Sequence, residues 1–120
     1  MDWKLDKSRP ICPQICEKLN VAIAAGELSP GERLMSVREV ALSAGVNPNT
    51  VQKSFEELER LGSVYSVRGS GWYVSEDPAA AKSQVGSMIR QRVDDFFADM
   101  ERLGVACEAA KKYVEEWKHE

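Results

Sequence analysis

Residues 36–62 read SVREVALSAGVNPNTVQKSFEELERLG, and this stretch carries the clearest signals of helix starts and ends in the chain. It opens with Ser36, and Glu39 follows at the spacing of a capping box. In such a box, the hydroxyl and the carboxylate each satisfy a free backbone N–H at a helix start. The short helix that begins here is expected to end at Gly45, because glycine readily adopts the left-handed conformation that closes helices.

A second helix is predicted to begin directly after this turn. Asn47 is a good capping residue, and Pro48 suits the first helical position because the N–H that proline lacks would have no partner there. This helix is expected to continue to Leu61 and to stop at Gly62. Two helices joined by a short turn that contains glycine form a helix-turn-helix unit.

The sequence after Gly62 favours strands instead of helices. The strand-forming residues are Val64, Val67, Trp72, Tyr73 and Val74. Residues 68–71, Arg-Gly-Ser-Gly, lie between them, so a β-hairpin is predicted. Upstream, apolar residues recur at helical spacing over residues 11–25 and predict a further helix. The N-terminal domain, residues 1–75, is therefore interpreted as a winged helix-turn-helix.

The remaining residues, 79–120, are predicted to be helical and to break at Gly104. The first apolar stripe comprises Val85, Ile89, Val93, Phe96, Met100 and Leu103, and the second comprises Ala106, Ala110, Tyr113 and Trp117. Two short amphipathic helices bury little surface alone. A twofold homodimer is the commonest way to cover such stripes. The expected fold class is thus mainly α with a small β-hairpin, a winged helix-turn-helix followed by a two-helix dimerisation region.

Polar side chains on the second helix of the unit point to DNA. Its inner face is predicted to carry Val51, Phe55, Leu58 and Leu61, and its outer face Asn49, Gln52, Lys53 and Glu56. Asparagine and glutamine can form paired hydrogen bonds with adenine, and lysine reaches guanine or phosphate. A solvated helix face would have a similar composition, but the tight turn before it and the hairpin after it favour the DNA interpretation.

Two arginines flank this helix in the sequence. Arg38 lies in the capping box, where a helix N-terminus already attracts phosphate. Arg68, Gly69 and Ser70 form the hairpin turn and are expected to contact DNA there, where Arg68 could enter a minor groove or bind phosphate. A surface ion pair for Arg38 and an ordinary turn for Arg68 are the plainer alternatives.

Two runs resemble the signature of the GntR family of regulators. They are GELSPGERLMSVREVA at residues 26–41 and GVNPNTVQKSFEELERLG at residues 45–62, and NPNTVQ is similar to the YtrA-like subfamily. The resemblance implies a homodimeric transcription regulator that binds double-stranded DNA. It also implies DNA contacts by Arg38, Asn47, Asn49, Thr50, Gln52, Lys53, Arg68 and Gly69.

Composition and the absence of recognisable motifs limit the possible functions and the expected cellular location of the protein. The net charge of −3 requires that DNA binding depend on where cations lie, because the total charge opposes it. The three cysteines form no disulfide framework, and no signal peptide or membrane-spanning run is found, so a cytoplasmic protein is expected. No catalytic set, cofactor motif or metal motif is recognised, so we expect no enzyme. A small-molecule effector, a protein-interaction module and a redox switch at Cys12 and Cys16 remain open.

Overall fold

The computed structural model describes residues 1–119, so Glu120, the last residue of the predicted C-terminal region, lies outside the described part. The chain forms five helices and one two-stranded antiparallel sheet in this part. In chain order they are α1 (Ile11–Ala24), α2 (Val37–Ala44), α3 (Pro48–Leu61), β1 (Val64–Val67), β2 (Gly71–Val74), α4 (Ala79–Arg102) and α5 (Cys107–Glu116). The predicted mainly helical winged helix-turn-helix is confirmed.

The caps predicted for α2 and α3 are formed. The Ser36 hydroxyl accepts a hydrogen bond from the Glu39 amide at 3.1 Å, and the Glu39 carboxylate accepts one from the Ser36 amide at 3.0 Å. Gly45 ends α2 with φ 69° and Gly62 ends α3 with φ 89°. These left-handed conformations suit glycine, so the turn chemistry fixes the ends of both helices.

The core of the winged unit lies between α1 and α3. Phe55, Leu58 and Val51 from α3 and Ile15 from α1 are fully buried in it. The ring of Trp72 in β2 meets Phe55 edge to face, with the centroids 5.5 Å apart. The apolar period of α3 therefore attaches this helix to α1 on one side and to the hairpin on the other.

The N-terminal segment adds to this core, which the sequence pattern did not predict. Trp3 is only 5% exposed and packs into the buried cluster. The Gln14 side chain accepts from the Asp6 amide and donates to the Asp6 carbonyl, both at 2.8 Å. Lys7 donates to the Gly45 carbonyl at 2.8 Å, so this segment also binds the turn of the helix-turn-helix.

A third backbone segment pairs with the hairpin. The Gly31 amide donates to Val74, the Val74 amide to Glu32, and the Leu34 amide to Trp72, each at 2.8 Å. An isolated antiparallel bridge joins Arg33 to Tyr73. Residues 31–34, expected only as a turn and its continuation, therefore cover the free edge of β2.

Several predicted boundaries shift. Helix α1 ends at Ala24 because Ala25 forms its cap, and β2 already begins at Gly71, so the hairpin tip comprises residues 68–70. Trp117 forms the C-cap of α5 with extended backbone, so the second stripe's last residue is not helical, contrary to expectation.

The chain divides into two compact units between Val85 and Gly86, within α4. Ala81 is fully buried in the core of the first unit, so the beginning of α4 belongs with the winged unit although residues 79–120 were predicted to form a separate region. In the second unit, Gly104 with φ 82° ends α4, and Ala110 of α5 is buried. Within residues 1–119, no helix has the length and apolar character needed to cross a membrane.

Candidate nucleic-acid interface

The first turns of α3 present three of the predicted contact residues together. Asn49, Gln52 and Lys53 are exposed, and their spacing of three and four residues places them on one helix face. Thr50 is half-buried, and its carbonyl accepts a hydrogen bond from Ser54 at 2.8 Å. The side chains able to read bases are therefore Asn49 and Gln52, with the Lys53 cation beside them.

Asn47 has a structural task at the start of α3. Its side-chain oxygen accepts a hydrogen bond from the Asn49 amide at 2.8 Å, and Pro48 occupies the first turn. This cap holds the helix end in place. The side-chain amide of Asn47 can still donate, because the cap uses only the oxygen.

Two of the three acids of α3, Glu57 and Glu59, are engaged within the protein. Arg60 donates to both carboxylate oxygens of Glu57, from Nε at 2.9 Å, and this hydrogen bonding lowers the pKa of Glu57. Glu59 accepts hydrogen bonds from Ser66 of β1. Both acids lie in the second half of the helix and neither adjoins Lys53, whereas the exposed Glu56 lies three residues after Lys53 on the same outer face.

Arg38 is exposed in the first turn of α2. Its neighbour Glu39 uses its carboxylate within the capping box, and the backbone and side-chain hydrogen bonds of Ser36 lower the pKa of Glu39. The free N–H groups of a helix start and an exposed guanidinium form a suitable phosphate contact.

The hairpin tip is a tight turn. The Ser70 amide donates to the Val67 carbonyl at 2.9 Å, and Gly69 has φ 79°. Arg68 and Gly69 are exposed. Ser70, expected to contact DNA, is exposed too, but its hydroxyl pairs with the Tyr73 hydroxyl and its carbonyl accepts from Arg33 Nη2 at 2.6 Å.

Sequence reasoning missed Arg33 at this site. It lies within the 26–41 run, yet nothing in that run links it to a residue 37 positions later. The backbone pairing of residues 31–34 with β2 brings the two together. Glu32 and Arg33 are both exposed and only Leu34 is buried, so these residues show no alternation from which a strand could have been predicted.

Cysteines and acids form no metal site in the described residues, since no group of three or more potential ligands comes together there. Cys12 is half-buried, Cys16 is buried and Cys107 is exposed. Burial raises the pKa of the Cys16 thiol to about 12, and the neighbouring Cys12 adds to this shift. Cys16 donates to the Ser54 carbonyl at 3.4 Å, which is the behaviour of a packed core thiol.

The winged unit matches a known family. The sequence model described as "Bacterial regulatory proteins, gntR family" matches residues 13–74, from α1 to the end of β2. The chain belongs to the GntR family. This GntR protein is therefore a helix-turn-helix transcription regulator and not an enzyme.

Two curated relatives extend the match to nearly the whole chain. An uncharacterized regulator of Bacillus subtilis, YhcF, is 36% identical over 108 residues, which cover 90% of this chain and 89% of the relative. The transcriptional repressor YtrA of the same species is 34% identical over 110 residues, covering 91% of this chain and 85% of YtrA. The predicted YtrA-like subfamily is thereby confirmed.

Solved structures support the same assignment. A GntR family transcriptional regulator from Listeria monocytogenes has a TM-score of 0.82 and 33% identity, over 95% of this chain and 100% of that one. The AraR DNA-binding domain, solved in complex with operator ORX1, has a TM-score of 0.54 and 27% identity, over 60% of this chain and 88% of that one. A neighbour of the GntR winged unit thus binds operator DNA with this fold.

Proposed function

We propose that this GntR regulator binds a palindromic DNA operator as a homodimer and represses transcription. The observation that carries the proposal is the exposed face at the start of α3, formed by Asn49, Gln52 and Lys53. Recognition helices use their N-terminal residues on base edges. A relative that is itself named a repressor, YtrA, is similar over most of its length.

Each part of the surface has a separate role in this proposal. Asn49 and Gln52 read adenine edges, and Lys53 binds guanine or phosphate. Arg38 binds phosphate at the start of α2, while Arg68 reaches a minor groove or phosphate from the hairpin. The remaining proposed contacts come from Asn47, Thr50, Gly69 and Ser70.

The helical region of residues 79–120 is the proposed dimerisation domain, and residues 1–75 are the proposed DNA-binding domain. Ile89 is 60% exposed, Leu103 76% and Trp117 70%, and exposed apolar side chains that form a contiguous patch mark interaction sites. An apolar groove of about 390 Å³ is lined by Ile89, Arg92, Val93, Phe96, Phe97 and Val114. The proposed interface comprises Val85, Ile89, Val93, Phe96, Met100, Leu103, Tyr113 and Trp117.

A homodimer also explains how a chain with a negative net charge can bind DNA. The net charge is −3, so few phosphates can be neutralised by one chain. Two copies related by a twofold axis double the number of contacts on a palindromic site. A small-molecule effector is left without an assigned site in this proposal.

The deciding experiment is selection of genomic DNA fragments by the purified protein. A recovered motif with twofold symmetry supports operator binding by a dimer. Enrichment of no sequence above a protein-free control contradicts DNA reading and favours a protein-interaction module. A reporter gene behind the recovered motif then tests repression, since expression should fall when the regulator is present.

Sedimentation at micromolar concentration tests the dimer separately. Wild-type protein should sediment as a dimer, and Val93→Asp should sediment as a monomer because it buries an unpaired charge in the interface. Lys111→Ala, at an exposed position of α5, serves as the control. A monomeric wild type contradicts the proposed interface.

A further inference from the structure

We propose that Arg33 is a positioning residue that holds the hairpin tip, and with it Arg68, ready to contact DNA. The inference rests on the proposed function, because it assigns Arg33 a part in the same surface. Arg33 itself lies outside the helix-turn-helix and outside the hairpin. It acts through the carbonyl of Ser70.

The backbone fixes where the Arg33 side chain lies. Arg33 forms an antiparallel bridge with Tyr73, and hydrogen bonds of 2.8 Å on both sides of the bridge hold the segment to β2. Facing residues of an antiparallel pair share a sheet face, and so does the residue two positions along. Arg33, Tyr73 and Gly71 therefore lie on the same face of the hairpin.

Gly71 provides the space that the guanidinium occupies. A Cβ atom at position 71 would lie 3.2 Å from Arg33 Nε and 3.4 Å from Nη2. Its φ of 143° also disfavours any side chain. The guanidinium therefore lies over position 71, which favours glycine, and it reaches the turn at residues 68–70.

At the turn, Arg33 Nη2 donates to the Ser70 carbonyl at 2.6 Å. The Ser70 hydroxyl pairs with Tyr73, whose ring stacks on Tyr65 with centroids 5.7 Å apart. Ser70 is therefore held on both its carbonyl and its side chain. Arg68 is two residues away, within the turn that the Ser70 amide closes.

The need for such a support follows from the size of the hairpin. Its strands have four residues each, and their buried residues Val64 and Val74 lie at the end away from the tip, so the core does not hold the exposed turn at residues 68–70. A hydrogen bond from a charged donor is stronger than a neutral one. Holding the tip in one conformation before binding reduces the entropy cost when Arg68 engages DNA.

Amide hydrogen exchange tests the support without DNA. Arg33→Ala should speed exchange of the Ser70 amide by about three- to tenfold relative to amides of α3, the range expected when one hydrogen bond is removed. Arg33→Lys, which keeps a charged donor, should restore part of the protection. Arg102→Ala, which removes another exposed arginine, is the control and should leave Ser70 unchanged.

A double-mutant cycle on DNA tests the positioning role. The probe is the duplex most enriched in the genomic selection. Arg33→Ala should weaken binding about as much as Arg68→Ala does, and should add less than about twofold when Arg68 is already alanine. Arg102→Ala again serves as the control for removal of one positive charge.

The outcomes separate the proposals. Unchanged Ser70 exchange in Arg33→Ala overturns the support. The positioning role is overturned if the effects of Arg33→Ala and Arg68→Ala on affinity are additive. If Arg33→Ala also lowers the slope of the salt dependence by about 0.9, both in the wild type and in Arg68→Ala, Arg33 is a direct phosphate contact. If the Ser70 amide exchanges faster in Arg33→Ala but the genomic selection enriches no duplex, the proposed function is overturned, and with it the DNA role of Arg33.

Discussion

The Glu59 carboxylate accepts two hydrogen bonds from Ser66, one from the backbone amide at 2.9 Å and one from the hydroxyl at 2.8 Å. Glu59 lies in the last turn of α3, and Ser66 lies in β1. The bonds therefore join the proposed reading helix directly to the hairpin. Together with the Arg33 hydrogen bond at the tip, they attach the hairpin at two separate points.

Replacing Glu59 should weaken the fold. Glu59→Ala is expected to lower the free energy of unfolding by about 1 kcal/mol, since it leaves the Ser66 amide without this acceptor. Urea unfolding followed by tryptophan fluorescence measures the change. Glu56→Ala, at an exposed position of the same helix, is the matched control and should cost much less. Equal effects of the two variants would show that the Ser66 bonds contribute nothing to stability.

The capping box should make stability depend on pH. Its hydrogen bonds from Ser36, with Arg33 adding a smaller attraction, lower the pKa of Glu39 in the folded state. A lowered acid pKa stabilises the fold above the unfolded value, about 4.3, and this contribution disappears as the pH falls through the folded value. Glu39→Gln should therefore reduce the melting temperature at neutral pH and converge on wild type in acid.

Thermal unfolding monitored by circular dichroism across this pH range provides the measurement. Glu56→Gln is the control for removal of one exposed carboxylate. A difference between Glu39→Gln and wild type that stays constant down to acid pH would contradict the assigned role of the carboxylate charge.

Removal of two positively charged side chains from the proposed DNA-binding surface should weaken operator binding strongly. Arg38→Ala and Lys53→Ala together are expected to reduce affinity more than about tenfold and to lower the salt dependence of binding by about 0.9 for each phosphate that is no longer neutralised. Titration of the selected duplex at several salt concentrations measures both quantities. Lys111→Ala removes a cation from α5 and should bind normally. Normal binding by the double variant would mean that the assigned face is wrong.

The cysteines should differ in reactivity. The thiolate is the reactive form, so the raised pKa and burial of Cys16 should protect it in the folded protein, whereas Cys107 is exposed. Alkylation followed by mass spectrometry should modify Cys107 first and Cys16 only after denaturation.

Operator affinity should be unchanged by peroxide. A fall in affinity that Cys12→Ser abolishes would instead support the redox alternative.

Local sequence signals predicted the elements of the winged unit well. Ser36 with Glu39, Asn47 with Pro48, and the glycines at 45 and 62 act within a few residues of their own position, so the ends of α2 and α3 follow from the sequence alone. The same holds for the exposed face of α3, whose apolar period orients Asn49, Gln52 and Lys53.

These local signals did not predict contacts between residues that lie far apart in the sequence. Trp3 enters the core and Lys7 binds Gly45 only because the folded chain brings them there. The Arg33 hydrogen bond to Ser70 likewise depends on a pairing between residues 31–34 and β2 that no turn or periodic pattern indicates. The place of Ser70 in the turn predicts a residue that faces DNA, whereas the hydrogen bond from Arg33 to its carbonyl follows from this missed pairing.

The guanidinium that lies over Gly71 carries an evolutionary consequence. A side chain at position 71 would need the space that Arg33 fills, so the two positions should change together among related sequences, as contacting residues do. Because the φ of 143° disfavours a side chain at position 71 by itself, relatives with a larger residue at the equivalent of 71 should have both a different turn conformation and a shorter residue at the equivalent of 33. Their hairpins would then have to be supported in another way, and this difference would divide the subfamily into two groups by the stiffness of the hairpin.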